Sequence, residues 1–291
     1  MTEDVLPAAP MTPTTQWVIE PRSSGPLAAT HEVWEHRRFV DYLGRRALRK
    51  LYARTALGWG WLVLRPLLPI LIRVLVFGGL VGLGSDGVPY FLFLTVGSLP
   101  WNLFQGSLMW STRGLELNRK VLDEVYVPRI IMPIASMAPS ALDFAFNAGV
   151  IVLAALFYLV KDGTTHLSLG WHTWWSVVAL VLILALALGI GLFTSVWGER
   201  AKDARLTMGQ VTAVWFLMTP VLYPVSEVPV EYQGWMMLNP MAALVEAFKF
   251  GLFGTVAPGV LAFSLAAVLS IAVAAAGLFF FSWRDAIVTE N

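Results

Sequence analysis

The chain has 291 residues, of which 57% are hydrophobic and 13% charged, with a mean hydropathy of +0.67 and a formal net charge of +1. A soluble domain carries about 25% charged residues, so this composition describes an integral membrane protein. With no cysteine in the chain, disulfides and thiolate metal sites are excluded.

Residues 1–30 are rich in Pro, Thr and Ala and hold no apolar run, which predicts a disordered cytoplasmic tail without a cleavable signal peptide. Residues 31–58 form the next unit. At about 100° per residue, Phe39, Val40, Leu43, Ala47 and Leu51 fall on one helical face and Arg38, Asp41, Arg45 and Arg49 on the other. A basic amphipathic helix beside a span lies in the interface plane against anionic lipid. It can equally touch a cytoplasmic partner and pass on its movement.

Residues 59–291 make up the membrane domain. Six segments approach the roughly 20 apolar residues that a spanning helix needs. They are Trp61–Leu83, Pro89–Ser111, Ile130–Val160, His172–Trp197, Met208–Tyr223 and Pro258–Trp283. The fifth is short, and the third is long enough to tilt or bend. Eight of the 20 Lys and Arg residues precede the first span, four lie between spans two and three, three between four and five, and one follows span six. The positive-inside rule therefore puts these loops and both termini in the cytoplasm. The tryptophans fit the same frame: Trp59, Trp61, Trp110, Trp197 and Trp283 at cytoplasmic span ends, Trp171, Trp174 and Trp175 at an outer end.

Two segments are not simple spans. Between spans two and three, Asn118–Pro133 is charged and helix-like and ends in Tyr126-Val127-Pro128-Arg129, which predicts a short amphipathic helix on the cytoplasmic membrane face. Between spans five and six, Pro224–Thr255 is apolar but broken by Pro224, Pro229, Pro240, Gly251 and Gly254. Irregular backbone at membrane depth survives only when buried in protein or facing a water-filled cavity. The segment therefore reads as a helix-turn-helix re-entering from the outside, around Trp235–Met237 and Ala242–Phe250.

Absent chemistry narrows the function. None of the five lysines is followed by Ser or Thr, so the chain lacks the end of a phosphate-binding P-loop. Asp143 is the one clear acid within a span, with Asn147 a turn later; a structural pair with Arg73 is its simplest explanation. The four histidines are split across both sides and none is expected to pair with a carboxylate at ligand spacing, which argues against a metal site or a membrane enzyme of lipid-linked glycan synthesis.

Several blocks together resemble one family. Tyr52-Ala-Arg-Thr-Ala-Leu-Gly-Trp-Gly-Trp with Arg65-Pro66-Leu67, Gly97-Ser-Leu-Pro-Trp-Asn-Leu-Phe, and Val125-Tyr-Val-Pro-Arg with Pro133 are similar to blocks of polysaccharide-export ABC permeases. So are Leu222-Tyr-Pro with Val228-Pro229, Leu238-Asn-Pro-Met, and Val245-Glu-Ala-Phe-Lys. Val127 stands where the family usually has Phe, and Lys249 where it usually has Arg. The resemblance implies an all-α type-2 ABC exporter fold with six transmembrane helices per protomer, a cytosolic coupling helix and a re-entrant outer helix pair. It also implies a homodimer in the inner membrane of a bacterium, working with two copies of a separate ATPase that binds the ATP and Mg. The implied substrate is a lipid-linked polysaccharide such as O-antigen, teichoic acid or capsule. A type-2 ABC permease for a drug or another lipid shares these features.

On that resemblance, coupling to the ATPase falls to Glu116, Asn118, Arg119, Lys120, Asp123, Glu124, Tyr126 and Pro128. Arg129 and Arg65 are expected at the lipid head group. Trp101, Asn102, Phe104, Gln105, Trp215 and Asp143 are expected along the glycan path, where sugar rings would stack on aromatic faces.

Overall fold

The computed structural model describes residues 31, 33–52, 60–125, 127–200 and 203–289. Expectations concerning the 1–30 tail, residues 53–59, Tyr126 and the Arg65 side chain fall outside the described residues. Among the described residues the secondary structure is helical throughout.

Helix α1 (Arg37–Tyr52) is the expected amphipathic helix. Leu43 is buried, while Arg38, Asp41, Arg45 and Arg49 are exposed, and the Asp41 carboxylate accepts from Arg45 Nε at 2.9 Å. Its apolar face packs against protein. Phe39, Val40 and Leu43 pack into a cluster with Leu115, Val121, Ile131 and Met132, which joins α1 to one end of the bundle.

The first expected span begins as α2 (Trp61–Arg73) and continues as a π-helical stretch, Val74–Val81, that stops at Gly82. Gly82 has φ +74°, a left-handed end that glycine adopts without a Cβ penalty. Helix α3 (Tyr90–Thr112) has 16 of its 23 residues buried and is the centre of the bundle rather than a lipid-facing span. Short helices α4 (Gly114–Glu124) and α5 (Ile131–Ser136) follow, and α6 (Ala138–Asp162) continues the line of α5 after a break at Met137. The remaining long elements are α7 (Trp174–Arg200), α8 (Asp203–Leu217) and α11 (Val260–Thr289). Between α8 and α11 stand α9 (Val230–Met237) and α10 (Pro240–Phe253), bent by 100° at their junction.

Three of the six expected spans are, among the described residues, long and apolar enough to cross a membrane unaided: Ile131–Asp162, Trp171–Gly198 and Val260–Arg284. The other three depart from simple spans for separate reasons. The first changes helix type at Arg73, and the second trades apolarity for Asn102, Gln105 and a series of Ser and Thr because most of its surface meets protein. The fifth ends at Leu217, six residues earlier than the sequence pattern predicts, because Pro220 cannot continue a helix.

Small residues let the long helices approach. A Cβ on Gly277 would lie 2.4 Å from the Gly189 carbonyl oxygen, and one on Gly191 would lie 2.5 Å from Ser111 Cβ. Hydroxyls also bond across helices, Thr112 of α3 to Thr194 of α7 at 2.7 Å and Ser107 of α3 to Ser140 of α6 at 2.8 Å. Lipid offers no hydrophobic drive for helix association, so close packing and such bonds carry it.

Candidate functional site

Helix α3 has two faces of different character. Trp101, Leu103, Phe104, Ser107 and Leu108 point inward, while Asn102, Gln105, Gly106, Met109, Trp110 and Arg113 are half-buried. The second set recurs at the spacing of one helical stripe. It lines a cavity of about 480 Å3 whose other walls are Pro69, Ile70 and Arg73 of α2 and Asp143 and Asn147 of α6. That size falls within the about 300–1,000 Å3 of small-ligand sites. Gln105 Nε2 donates to Thr212 Oγ1 at 3.3 Å, and Asn147 Nδ2 to the Asp143 carbonyl at 2.7 Å. Arg73 and Asp143 share the cavity, but the expected pairing gives way to a different contact: the Arg73 guanidinium lies over the Phe216 ring, 4.5 Å from its centroid.

Behind the cavity stands an aromatic cluster. Trp101 is 5.6 Å from Phe104, 6.5 Å from Trp215 and 5.4 Å from Phe216, ring centre to ring centre. Trp101 and Phe104 are 2% and 0% exposed, so within one protomer these two brace the helix and leave the cavity wall to Asn102 and Gln105. The indole N–H of Trp215 is taken by Asn239 Oδ1 at 2.7 Å.

Asn239 belongs to a second feature, the irregular chain after α8. From Leu217 to Leu222 the backbone leaves the helix, and its carbonyls, no longer paired within it, need donors. Side chains from α3, from α10 and its N-cap, and one local tyrosine supply them. Tyr223 Oη donates to Leu217 O at 3.1 Å, Asn239 Nδ2 to Met218 O at 3.2 Å, Lys249 Nζ to Pro220 O at 3.1 Å and Tyr90 Oη to Leu222 O at 2.7 Å. Asn239 also caps α10 through Met241 N–H at 3.0 Å. Lys249 is 4% exposed, bonds the Glu246 carboxylate and lies 4.4 Å from the Phe93 ring centroid. The sequence blocks Leu222-Tyr-Pro, Leu238-Asn-Pro and Val245-Glu-Ala-Phe-Lys thus meet around one broken strand of backbone.

At the opposite end of the bundle α4 carries the expected coupling residues. Leu115 and Val121 are buried, whereas Glu116, Leu117, Arg119, Lys120, Asp123 and Glu124 are exposed on one side. Asn118 turns inward and donates to Gly114 O at 2.9 Å and Ser136 Oγ at 3.1 Å, so it positions the helix rather than facing a partner. Gly114 is required there, since a Cβ would come within 2.5 Å of the Pro133 backbone. Pro128 and Arg129 are half-buried and start the next turn, where their carbonyls accept from Ile131 and Met132 N–H at 3.1 Å each. Glu116 meets Arg205 of α8 at 3.6 Å, a link between α4 and α8 that sequence spacing does not disclose. Contrary to the sequence expectation, two histidines stand beside carboxylates four residues away, His31 Nδ1 3.6 Å from Glu35 and His166 Nε2 3.5 Å from Asp162, but among the described residues no group of three or more acids and histidines is arranged to hold a metal ion.

A family model described as ABC-2 type transporter matches residues 40–253. An O-antigen export system permease protein RfbA of Myxococcus xanthus is 26% identical over 228 residues, covering 77% of this chain and 83% of that protein. A protein of the same description from Klebsiella pneumoniae is 23% identical over 202 residues, covering 69% and 75%. A polysialic acid transport protein KpsM of Escherichia coli is 23% identical over 212 residues, covering 71% and 78%.

Proposed function

This chain belongs to the ABC-2 type transporter family, and on that premise we propose that it is the membrane subunit of an ATP-driven exporter of a lipid-linked polysaccharide. The similarity to O-antigen and polysialic acid export proteins supports the substrate class. A cavity lined by Arg73, Arg113, Asn102, Gln105 and Asn147 beside Asp143 supports a charged, hydroxyl-rich cargo over an apolar drug.

The observation that carries the motor half of this reading is the exposed charged face of α4. Its inner face, through Leu115 and Val121, is bolted to α1, α5, α7 and α11. A force on Arg119, Lys120, Asp123 or Glu124 therefore reaches the bundle through packed side chains, and Glu116–Arg205 carries it to α8. In this reading two copies of the chain sit in the bacterial inner membrane with both termini cytoplasmic, and two separate ATPase subunits dock on the two α4 helices. ATP and Mg are held by those subunits. The bent pair α9–α10 re-enters from the outer side, and Arg129 anchors at phosphate level beneath α5.

The test is charge reversal on α4. In the purified complex with its ATPase, Arg119→Glu with Asp123→Lys abolishes substrate-stimulated ATP hydrolysis and export while leaving the chain folded. Full stimulation and export in that double variant would refute the docking assignment.

A further inference from the structure

Arg73 and Arg113 are cations that no part of the docking account employs. Arg73 sits where α2 turns into its π-helical stretch, a local irregularity frequent at functional sites. Through Phe216 it is level with Trp101, near the middle of α3. Arg113 lies at the cytoplasmic end of the same helix. Both line the cavity described above, together with Asn102, Gln105, Asp143 and Asn147.

Among the described residues neither guanidinium makes an ion pair. Arg73 rests on Phe216, and Arg113 stands 5.8 Å from the Trp110 ring centroid with its Nε buried and without a hydrogen-bond partner. Two arginines against one aspartate leave the lining side chains with net positive charge. A charge at the centre of a membrane costs about 2.5–3.5 kcal/mol on insertion scales, so Arg73 at mid-depth calls for a use, and Arg113 adds a second cation at the mouth of the same cavity. Arginine offers a planar fork of donors that matches phosphate oxygens, and the three amides offer both donors and acceptors to hydroxyl groups. From Asn102 to Arg113 the stripe rises about 16 Å along α3, long enough to hold a phosphate and the group attached to it.

We propose that the groove between α2, α3 and α6 binds a phosphate or diphosphate group, Arg113 receiving it at the cytoplasmic mouth and Arg73 holding it at mid-depth. This deepens the export reading by naming where the charged end of a lipid-linked substrate enters each protomer, and it rests on that reading for its biological ligand. The same chemistry would accept inorganic diphosphate.

Binding of polyprenyl diphosphate, and separately of inorganic diphosphate, is measured on the purified complex with its ATPase in nanodiscs of phosphatidylcholine. Arg113→Gln and Arg73→Gln each weaken binding by about tenfold or more, as expected for loss of a charged hydrogen bond, while Arg113→Lys recovers part of it. The exposed Arg45→Gln leaves binding unchanged. Tight binding of the polyprenyl compound alone assigns the groove to a lipid head group; equal binding of both probes assigns it to the phosphate as such. Affinities unchanged in both glutamine variants would overturn the proposal, as would a lysine variant no better than the glutamine one. The export reading fails separately, if the complex binds the diphosphate through these arginines yet moves no glycan.

Discussion

Lys249→Met puts the account of the broken chain after α8 to a quantitative test. Lys249 Nζ bonds the Glu246 carboxylate and donates to Pro220 O at 3.1 Å, with 5% of its side chain exposed and 15% of that of Glu246. Methionine has nearly the same shape, so packing against Phe93 survives and the change is electrostatic. Removing one member of a buried pair costs about 3–5 kcal/mol, because the other charge is left uncompensated. The Pro220 carbonyl, deprived of that donor, adds a share of the about 1–3 kcal/mol of an unmet buried polar group. The loss of folding stability should therefore be about 3–5 kcal/mol, large for a single substitution. Reversible unfolding of the purified chain in mixed micelles measures it, with the exposed Lys161→Met as the control. Adding Glu246→Leu to Lys249→Met removes the stranded charge and should restore at least half of the loss, since replacing both partners of a buried pair is often close to neutral. A Lys249→Met protein that unfolds within about 0.5 kcal/mol of the parent, like an ordinary surface change, would refute the reasoning.

Gly277→Ala and Gly189→Ala should each reduce the yield of folded protein recovered from membranes, because the new methyl meets backbone at 2.4 Å across the α7–α11 crossing; Gly79→Ala, with open space around it, should not. Asn239→Ala should destabilise more than Trp215→Phe in the same unfolding assay, since Asn239 serves Met218 O, the α10 cap and the Trp215 indole while Trp215 loses one bond. Glu116→Arg should lower coupled ATP hydrolysis, and adding Arg205→Glu should recover it, because the 3.6 Å pair is then rebuilt in reverse.

Local signals carried far in this chain. The face of α1 was legible because its apolar residues recur at helical spacing, and α4 was legible because charge stands between two apolar runs. The break between α9 and α10 was marked by Asn239-Pro240, a cap followed by a first-turn proline. Legibility failed where the answer lay in contacts between distant segments. Trp101 and Asn102 are neighbours in sequence, yet one braces the core and the other lines the cavity, which follows only from where α2, α6 and α8 pack. Asn118 looks like its charged neighbours but is turned inward by Ser136, eighteen residues on. The shared task of Tyr90, Tyr223, Asn239 and Lys249 is invisible in a linear reading, since each donates to a carbonyl of the irregular chain from Leu217 to Leu222 and not to a neighbour in its own block.

Transport itself is the most direct test. The chain and its ATPase partner, purified together and reconstituted into vesicles with a lipid-linked polysaccharide in the outer leaflet, are supplied with ATP outside. Appearance of the glycan inside the vesicles, dependent on ATP and lost in the Arg119→Glu, Asp123→Lys variant, is the predicted result. Glycan that stays outside while the intact complex hydrolyses ATP would contradict it.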